Sequence, residues 1–183
     1  MAGFFVYGDE IVYLPIGNID KRNLEIYTRY KAMKTTAKEI ESFFGSKAYA
    51  VIGVSADRSK FGNIVYRMMK EKQFTVYPVN PNLDTVEGDR CYESLGDLPA
   101  DVKSIITVVP PPVTEKIVDE GIKKGFTGFW IQPGSESIAA TDRVKGAGLT
   151  VIHHQCILMF LEPLESFHAI HRWLKKLLGT YPK

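Results

Sequence analysis

The chain has 183 residues, is 45% hydrophobic and carries a formal net charge of +2, which suits one domain with a short extension and argues against a nucleic-acid-binding protein. No apolar run approaches the roughly 18 residues of a membrane-spanning helix, and the N-terminus has no basic signal-peptide region. The cysteines, Cys91 and Cys156, give neither a disulfide framework nor a metal-ligand spacing, so we expect a cytoplasmic protein with no metal and no membrane partner.

Residues 1–45 are predicted to form an extension before the main domain. Phe4–Tyr7 and Ile11–Ile16 flank the turn sequence GDE, a pattern that indicates a β-hairpin. Asp20 is a suitable N-cap for a long amphipathic helix over Lys21–Phe44. We interpret this helix as a surface that packs against the main domain or a second subunit.

Residues 46–183 are predicted to form the main domain, in which strands and helices alternate. The strands are predicted at Tyr49–Val54, Phe74–Val79, Ser104–Val109, Gly128–Gln132 and Thr150–His153, and the helices at Ile64–Lys72, Val113–Lys124 and Ser137–Ala147. This alternation predicts an α/β fold: a Rossmann-like, doubly wound, five-stranded parallel sheet with strand order 3-2-1-4-5. The irregular connection Asn80–Asp101 is expected to hold a short helix or turn near Tyr92–Leu98, and Glu165–Leu178 a C-terminal helix.

The carboxyl ends of the five predicted strands carry small, polar and proline residues. In a doubly wound sheet the ligand lies beyond these ends. They read Gly53-Val54-Ser55, Val79-Asn80-Pro81, Val109-Pro110-Pro111, Ile131-Gln132-Pro133-Gly134 and His153-His154-Gln155-Cys156. The sequence therefore predicts a ligand crevice along this edge of the sheet.

The first strand end has the pattern of a phosphate site. A buried strand passes through a short polar loop to Gly62 and a helix, whose free N–H groups and dipole attract anions. The loop is longer than the dinucleotide fingerprint and contains Arg58 and Lys60, while Asn80 stands where an acidic ribose-binding residue is expected. These features favour a ligand with more phosphate charge than NAD.

Four segments of the chain resemble the small stand-alone CoA-binding proteins, which are similar to the CoA-binding domain of the succinyl-CoA synthetase α subunit. The segments are VIGVSADRSKFGNIVYRMMKEKQFTVYPVNP, GDRCYESLGDLP, VVPPPVTEKIVDEGIKKGFTGFWIQPGSES and GLTVIHHQCI. They lie in one order over residues 46–159. The resemblance implies that coenzyme A or an acyl-CoA is the ligand.

The resemblance also implies which residues contact CoA. The diphosphate would be cradled by Gly53, Ser55, Ala56, Arg58, Ser59, Lys60 and Gly62, and the ribose and its 3′-phosphate would lie near Asn80 and Pro81. The adenine would be flanked by Val109, Pro110 and Pro111, and the pantetheine path lined by Ile131, Gln132, Pro133 and Gly134. Cys156 matches a cysteine frequent in the family, whereas His153-His154-Gln155 departs from the family pattern.

No residue is predicted to be catalytic. The synthetase reaction needs a phosphorylated histidine on a second domain, for which the chain has no room after Met159. The sequence therefore predicts a protein that binds CoA without independent chemistry. A homodimer is also expected, since dimers are the default for such small domains. Two alternatives stay open: an NAD(P)-binding oxidoreductase or redox sensor, and a CoA-binding subunit acting in trans with a ligase or acyltransferase. A mixed disulfide between Cys156 and CoA also stays open, beside a buried inert cysteine.

Overall fold

The computed structural model describes residues 2–7, 10–15, 30 and 34–161. Strands β1 (Ala2–Tyr7) and β2 (Glu10–Pro15) pair antiparallel, with Tyr7 opposite Glu10. This pairing confirms the predicted hairpin. The expected cap at Asp20 and the expected helix Glu165–Leu178 lie outside the described residues.

The prediction of one uninterrupted helix over Lys21–Phe44 is wrong. Helix α1 spans Ala37–Phe44, and residues 34–36 before it are not helical. Thr36 is extended, with φ −98° and ψ 157°; its hydroxyl accepts the Glu39 N–H at 3.2 Å, and the Glu39 carboxylate accepts the Thr36 N–H at 2.8 Å. This capping box starts a new helix at a point where apolar periodicity alone suggests continuation.

The remaining elements alternate as expected, with a short two-stranded ladder added. In chain order they are β3 (Tyr49–Ile52), α2 (Phe61–Glu71), β4 (Val76–Val79), β5 (Thr85–Val86), β6 (Asp89–Arg90), β7 (Ser104–Thr107), α3 (Pro111–Lys123), β8 (Gly128–Ile131), α4 (Ile138–Gly146) and β9 (Thr150–Ile152). Strands β3, β4, β7, β8 and β9 form one parallel sheet. The Rossmann-like α/β fold with a five-stranded parallel sheet is therefore confirmed.

The predicted strand order 3-2-1-4-5 is wrong, because the sheet runs β4-β3-β7-β8-β9, or 2-1-3-4-5. After β4 the chain forms no helix over residues 80–103, all of which are described, and Tyr92–Leu98 is a turn region. Tyr92 instead bridges Val79 and donates its N–H to the Pro78 carbonyl oxygen at 2.9 Å. This contact lies on the outer side of β4, and β7 pairs with β3 on the side away from β4.

This strand order determines where the ligand crevice lies. In an order of 2-1-3-4-5 the second strand is added on one side of the first strand and the third strand on the other, and ligands bind at that switch point. Here the switch point lies between β3 and β7, where the Val108 N–H donates to the Ile52 carbonyl oxygen at 2.8 Å.

Apolar side chains cover both faces of the sheet and hold the strand ends in place. One buried cluster includes Tyr49, Val51 and Trp130 with residues of α1 and α2, and the other includes Ile105 and Phe129 with residues of α3 and α4. Each such side chain contributes about 1.5–3 kcal/mol when fully buried. The loops at the carboxyl edge therefore extend from strands that are held in place by packing on both faces of the sheet.

Candidate functional site

Two glycines bring the start of α2 against the end of β3. Gly53 has φ +104°, and a Cβ placed on it would lie 2.2 Å from the Val108 carbonyl oxygen. A Cβ on Gly62 would lie 2.2 Å from the carbonyl oxygen of Gly53 itself. Only residues without a side chain fit at both positions. The helix N-terminus is thus held directly at the switch point.

Asn63 fixes the loop that joins these glycines. Its side chain is 1% exposed; Oδ1 accepts the Ser55 N–H at 2.8 Å and Nδ2 donates to the Ser55 carbonyl oxygen at 2.8 Å. Our sequence reasoning did not select this residue. The available signal was an asparagine inside a helix directly after Gly62, where its helix propensity is poor.

The tip of the loop is a polar turn built on Asp57. Its carboxylate accepts the Ser59 N–H at 2.9 Å and the Ser59 hydroxyl at 2.7 Å, and these bonds hold the pKa of Asp57 below its usual value. Lys60 lies 3.8 Å from the same carboxylate and is the N-cap residue of α2. Lysine cannot accept hydrogen bonds, so its side chain leaves the first N–H groups of the helix to other acceptors.

Arg58, predicted as a phosphate ligand, is 75% exposed and forms an ion pair with another side chain of the protein. Its guanidinium contacts the Glu87 carboxylate at 2.9 Å, and Arg67 contacts the same carboxylate at 2.8 Å. Hydrogen bonding from Asn63, followed by the two arginines, lowers the pKa of Glu87. A pocket of about 360 Å³ opens between this carboxylate and Ser55. Neither Glu87 nor Arg67 was predicted.

Asn80 ties the ends of β3 and β4 together. Its Nδ2 donates to the Val54 carbonyl oxygen at 2.7 Å, and its Oδ1 accepts the Asn82 N–H at 2.9 Å. Pro81 follows at the surface and lines a second pocket of about 560 Å³. Asn80 thus acts as a clamp between two strand ends.

The ends of β7 and β8 present a mixture of exposed and buried predicted residues. Pro110, Pro133 and Gly134 are exposed, Val109 is half-buried, and Pro111, Ile131 and Gln132 are buried. The Val109 N–H donates to the Ser135 hydroxyl at 3.0 Å, which joins the two ends. Within the described ranges, neither amide atom of the Gln132 side chain has a hydrogen-bond partner. Ser137 caps α4, so this helix begins within one residue of its predicted start.

At the end of β9, two adjacent histidines have different surroundings. His153 is 2% exposed, and its ring lies 5.1 Å from that of Tyr30. His154 is exposed, has φ +56°, and places Nδ1 3.6 Å from the carboxylate of Glu136. Burial raises the pKa of Glu136 above its usual value. Cys156, two residues further on, is half-buried against the cluster that contains Trp130.

His153 predicts a pH dependence of stability. Burial lowers its pKa from 6.5 to about 4, so between these values the unfolded chain binds a proton that the folded chain does not. The free energy of unfolding should therefore fall as the pH falls, by roughly 2 kcal/mol between about pH 7 and about pH 4.5. His153→Phe keeps an aromatic ring beside Tyr30 and removes the titration. Urea denaturation across this pH range should show a smaller decline in the free energy of unfolding for the variant than for the wild type. Equal declines would contradict the prediction.

Neither a metal-ligand cluster nor a membrane-spanning helix lies in the part of the chain that the structure describes. No group of three or more metal-ligating side chains occurs there. Among the same residues, no helix combines the length and apolar character needed to cross a membrane.

Comparisons with known proteins agree with this geometry. A family profile described as "CoA binding domain" matches residues 47–162. The chain is 37% identical over 93 residues to the α subunit of an ADP-forming acetate–CoA ligase II from Pyrococcus furiosus, a match covering 50% of this chain and 20% of that protein. It is 35% identical over 82 residues to an ADP-forming acetate–CoA ligase from Methanocaldococcus jannaschii, covering 45% of this chain and 12% of that one.

A solved structure supports the same relationship. A conserved hypothetical protein from Pyrococcus furiosus superimposes with a TM-score of 0.58 at 39% identity, covering 61% of this chain and 96% of that chain. Because the family profile matches well over half of its residues, the chain belongs to the CoA-binding-domain family. The match spans a fifth or less of the curated ligases named above.

Proposed function

We propose that the protein binds CoA or an acyl-CoA at the carboxyl edge of its sheet and performs no chemical step of its own. The observation that carries this proposal is the pair of close approaches at Gly53 and Gly62. They hold a helix N-terminus at the switch point, where the free N–H groups attract phosphate. Membership of the CoA-binding-domain family makes CoA the phosphate-bearing ligand to test.

The neighbouring strand ends supply the other expected contacts. Val109, Pro110 and Pro111 would lie beside the adenine, and exposed Pro133 and Gly134 would lie along the pantetheine. Gln132 is buried in this structure, so it would lie beneath the residues that contact the pantetheine. Lys60, the N-cap residue of α2, would contact the diphosphate.

The contacts of Asn80 weigh against the rival in which the ligand is NAD(P). A dinucleotide site uses an acidic residue at this strand end to accept hydrogen bonds from the ribose. Asn80 carries no charge, and both ends of its amide already bond the backbone of Val54 and Asn82. The strand end is thus built to hold the loops together.

Calorimetric titration with CoA, dephospho-CoA and NAD tests the proposal. We expect saturable binding of CoA, weaker binding of dephospho-CoA because the 3′-phosphate is missing, and no comparable binding of NAD. A thermal shift should accompany it, since a ligand at 100 times its dissociation constant stabilises by about 2.7 kcal/mol. Preferential binding of NAD would overturn the proposal in favour of the redox alternative.

A second candidate function is a CoA-binding subunit that acts in trans. One relative that carries the matching region is named as the α subunit of an ADP-forming acetate–CoA ligase II, and this name supports the candidate. Co-purification of a ligase or acyltransferase with the tagged protein would support this reading. The division at residue 45, the homodimer, the cytoplasmic location and the Cys156–CoA disulfide stay predictions.

A further inference from the structure

A buried carboxylate lies against the loop expected to bind phosphate. The Glu87 side chain is 5% exposed and receives hydrogen bonds from Asn63 Nδ2 at 3.1 Å, Arg58 Nε at 2.9 Å and Arg67 Nη1 at 2.8 Å. Glu87 and Gly88 form the two-residue turn between β5 and β6, and both have positive φ, 54° and 85°. The hairpin thus holds this carboxylate over the loop.

The donors around Glu87 are those that bind a phosphate group in other proteins. Guanidinium groups form paired N–H···O bonds to carboxylates and phosphates alike, and an amide N–H adds a third donor. The pocket of about 360 Å³ beside them is lined by Ser55 and Ala56 of the loop as well as by Glu87. Arg58 and Asn63 also line this pocket, so an anion that enters it meets two of the three donors at the place where the carboxylate already lies.

The charges of the site make this overlap important. Arg58, Lys60 and Arg67 are the cations of the loop region, and Asp57 and Glu87 pair with them. A ligand with several phosphate groups gains little from arginines that are already neutralised, and it is repelled by the carboxylate between them. Either Glu87 leaves when the ligand arrives, or it serves only to orient the two arginines.

We propose that Glu87 is an internal competitor for a phosphate subsite formed by Arg58, Arg67 and Asn63, and that a phosphate group of the ligand displaces its carboxylate. The identity of the ligand rests on the proposed function, but the subsite itself requires only an anion. Displacement frees the turn between β5 and β6 from the loop. The hairpin is then a cover whose position depends on whether the subsite holds a carboxylate or a phosphate.

The Glu87→Gln variant tests this proposal by whether it strengthens or weakens ligand binding. It removes one negative charge and keeps the size of the side chain, so CoA and inorganic pyrophosphate should bind about tenfold more tightly at low ionic strength. The gain should shrink at high salt, because screening weakens partly exposed charges. A carboxylate that only orients the arginines predicts the opposite, weaker binding.

Asp89→Asn is the matched control on the same hairpin. Asp89 pairs with Lys70 and accepts the Tyr66 hydroxyl at 2.8 Å, whereas Arg58 and Arg67 pair with Glu87. The variant makes the same change in net charge, so it should alter the dissociation constants by less than about twofold. An increase in affinity equal to that of Glu87→Gln would show that the change in net charge alone explains the effect, and it would overturn the proposal.

The two ligands separate failure of this proposal from failure of the proposed function. If the wild-type protein binds CoA and Glu87→Gln binds it equally or less tightly, the proposed role of Glu87 as a competitor is overturned. The proposed function as a CoA-binding protein is then kept. If CoA binds to neither protein, the proposed function fails and pyrophosphate decides: tighter binding to Glu87→Gln supports the subsite, and equal or weaker binding overturns it.

A measurement on the wild-type protein keeps the proposal testable if the variant folds poorly. Hydrogen exchange of the backbone amides in residues 85–90 should become faster when pyrophosphate or CoA saturates the site, because the turn loses its hold on the loop. Slower or unchanged exchange with either ligand bound would overturn the displacement.

Discussion

Replacement of Gly62 by alanine should destabilise the protein by about 3 kcal/mol and weaken CoA binding about tenfold or more. The added carbon would lie 2.2 Å from the Gly53 carbonyl oxygen and 3.0 Å from the Val54 nitrogen. Both are backbone atoms at the end of a strand packed on both faces, so the helix α2 has to move instead. That movement takes its N-terminus away from the switch point. Urea denaturation and calorimetric titration with CoA measure the two effects.

Gly146→Ala is the matched control for this change. Gly146 lies in α4, its backbone φ is not positive, and among the described residues no heavy atom would approach the added carbon within 4 Å. Alanine favours the helix over glycine by up to about 1 kcal/mol, so the control should be at least as stable as the wild type and bind CoA equally. Wild-type stability and affinity in Gly62→Ala would show that the close approach is unnecessary.

The Asn63→Asp variant should lose about 3 kcal/mol of stability and most of its CoA affinity. The side chain is buried, and its Nδ2 donates to the Ser55 carbonyl oxygen at 2.8 Å and to the Glu87 carboxylate at 3.1 Å. Aspartate places an acceptor where both partners need a donor, and it adds a buried negative charge beside Glu87. The loop can relieve this conflict only by opening. Urea denaturation measures the loss.

Asn82→Asp provides the control for the chemical change alone. Asn82 is exposed, and substitutions at such positions usually change stability by no more than about 0.5 kcal/mol. Equal stability of Asn63→Asp and Asn82→Asp would mean that the amide of Asn63 does not hold the loop together.

The sequence was sufficient to predict the strands but not their order. Most residues of the five strands are buried, which leaves apolar runs that can be recognised locally. The position of β7 beside β3 is a pairing between strands more than 50 residues apart, which no local pattern reports. The start of α1 was missed for a similar reason, because the capping box of Thr36 and Glu39 interrupts a sequence whose apolar spacing continues.

The residues of the candidate site also divide into those that a local sequence pattern predicts and those that it does not. Gly53 and Gly62 stand out because a strand–loop–helix with glycines is a local signature. Asn63 and Glu87 do not, since their partnership joins residues 24 positions apart and neither belongs to a recognisable motif. The prediction that Arg58 binds phosphate therefore took no account of the Glu87 carboxylate, which the hairpin β5–β6 places beside it.

Pro78 has a consequence for the protein at high concentration. It lies in β4, the outermost strand on its side of the sheet, and its carbonyl oxygen is already taken by the Tyr92 N–H. Proline has no N–H to offer an incoming strand, so the exposed border provides a poor template for another chain. Intermolecular sheet growth, the first step towards amyloid-like aggregation, is therefore disfavoured at this border.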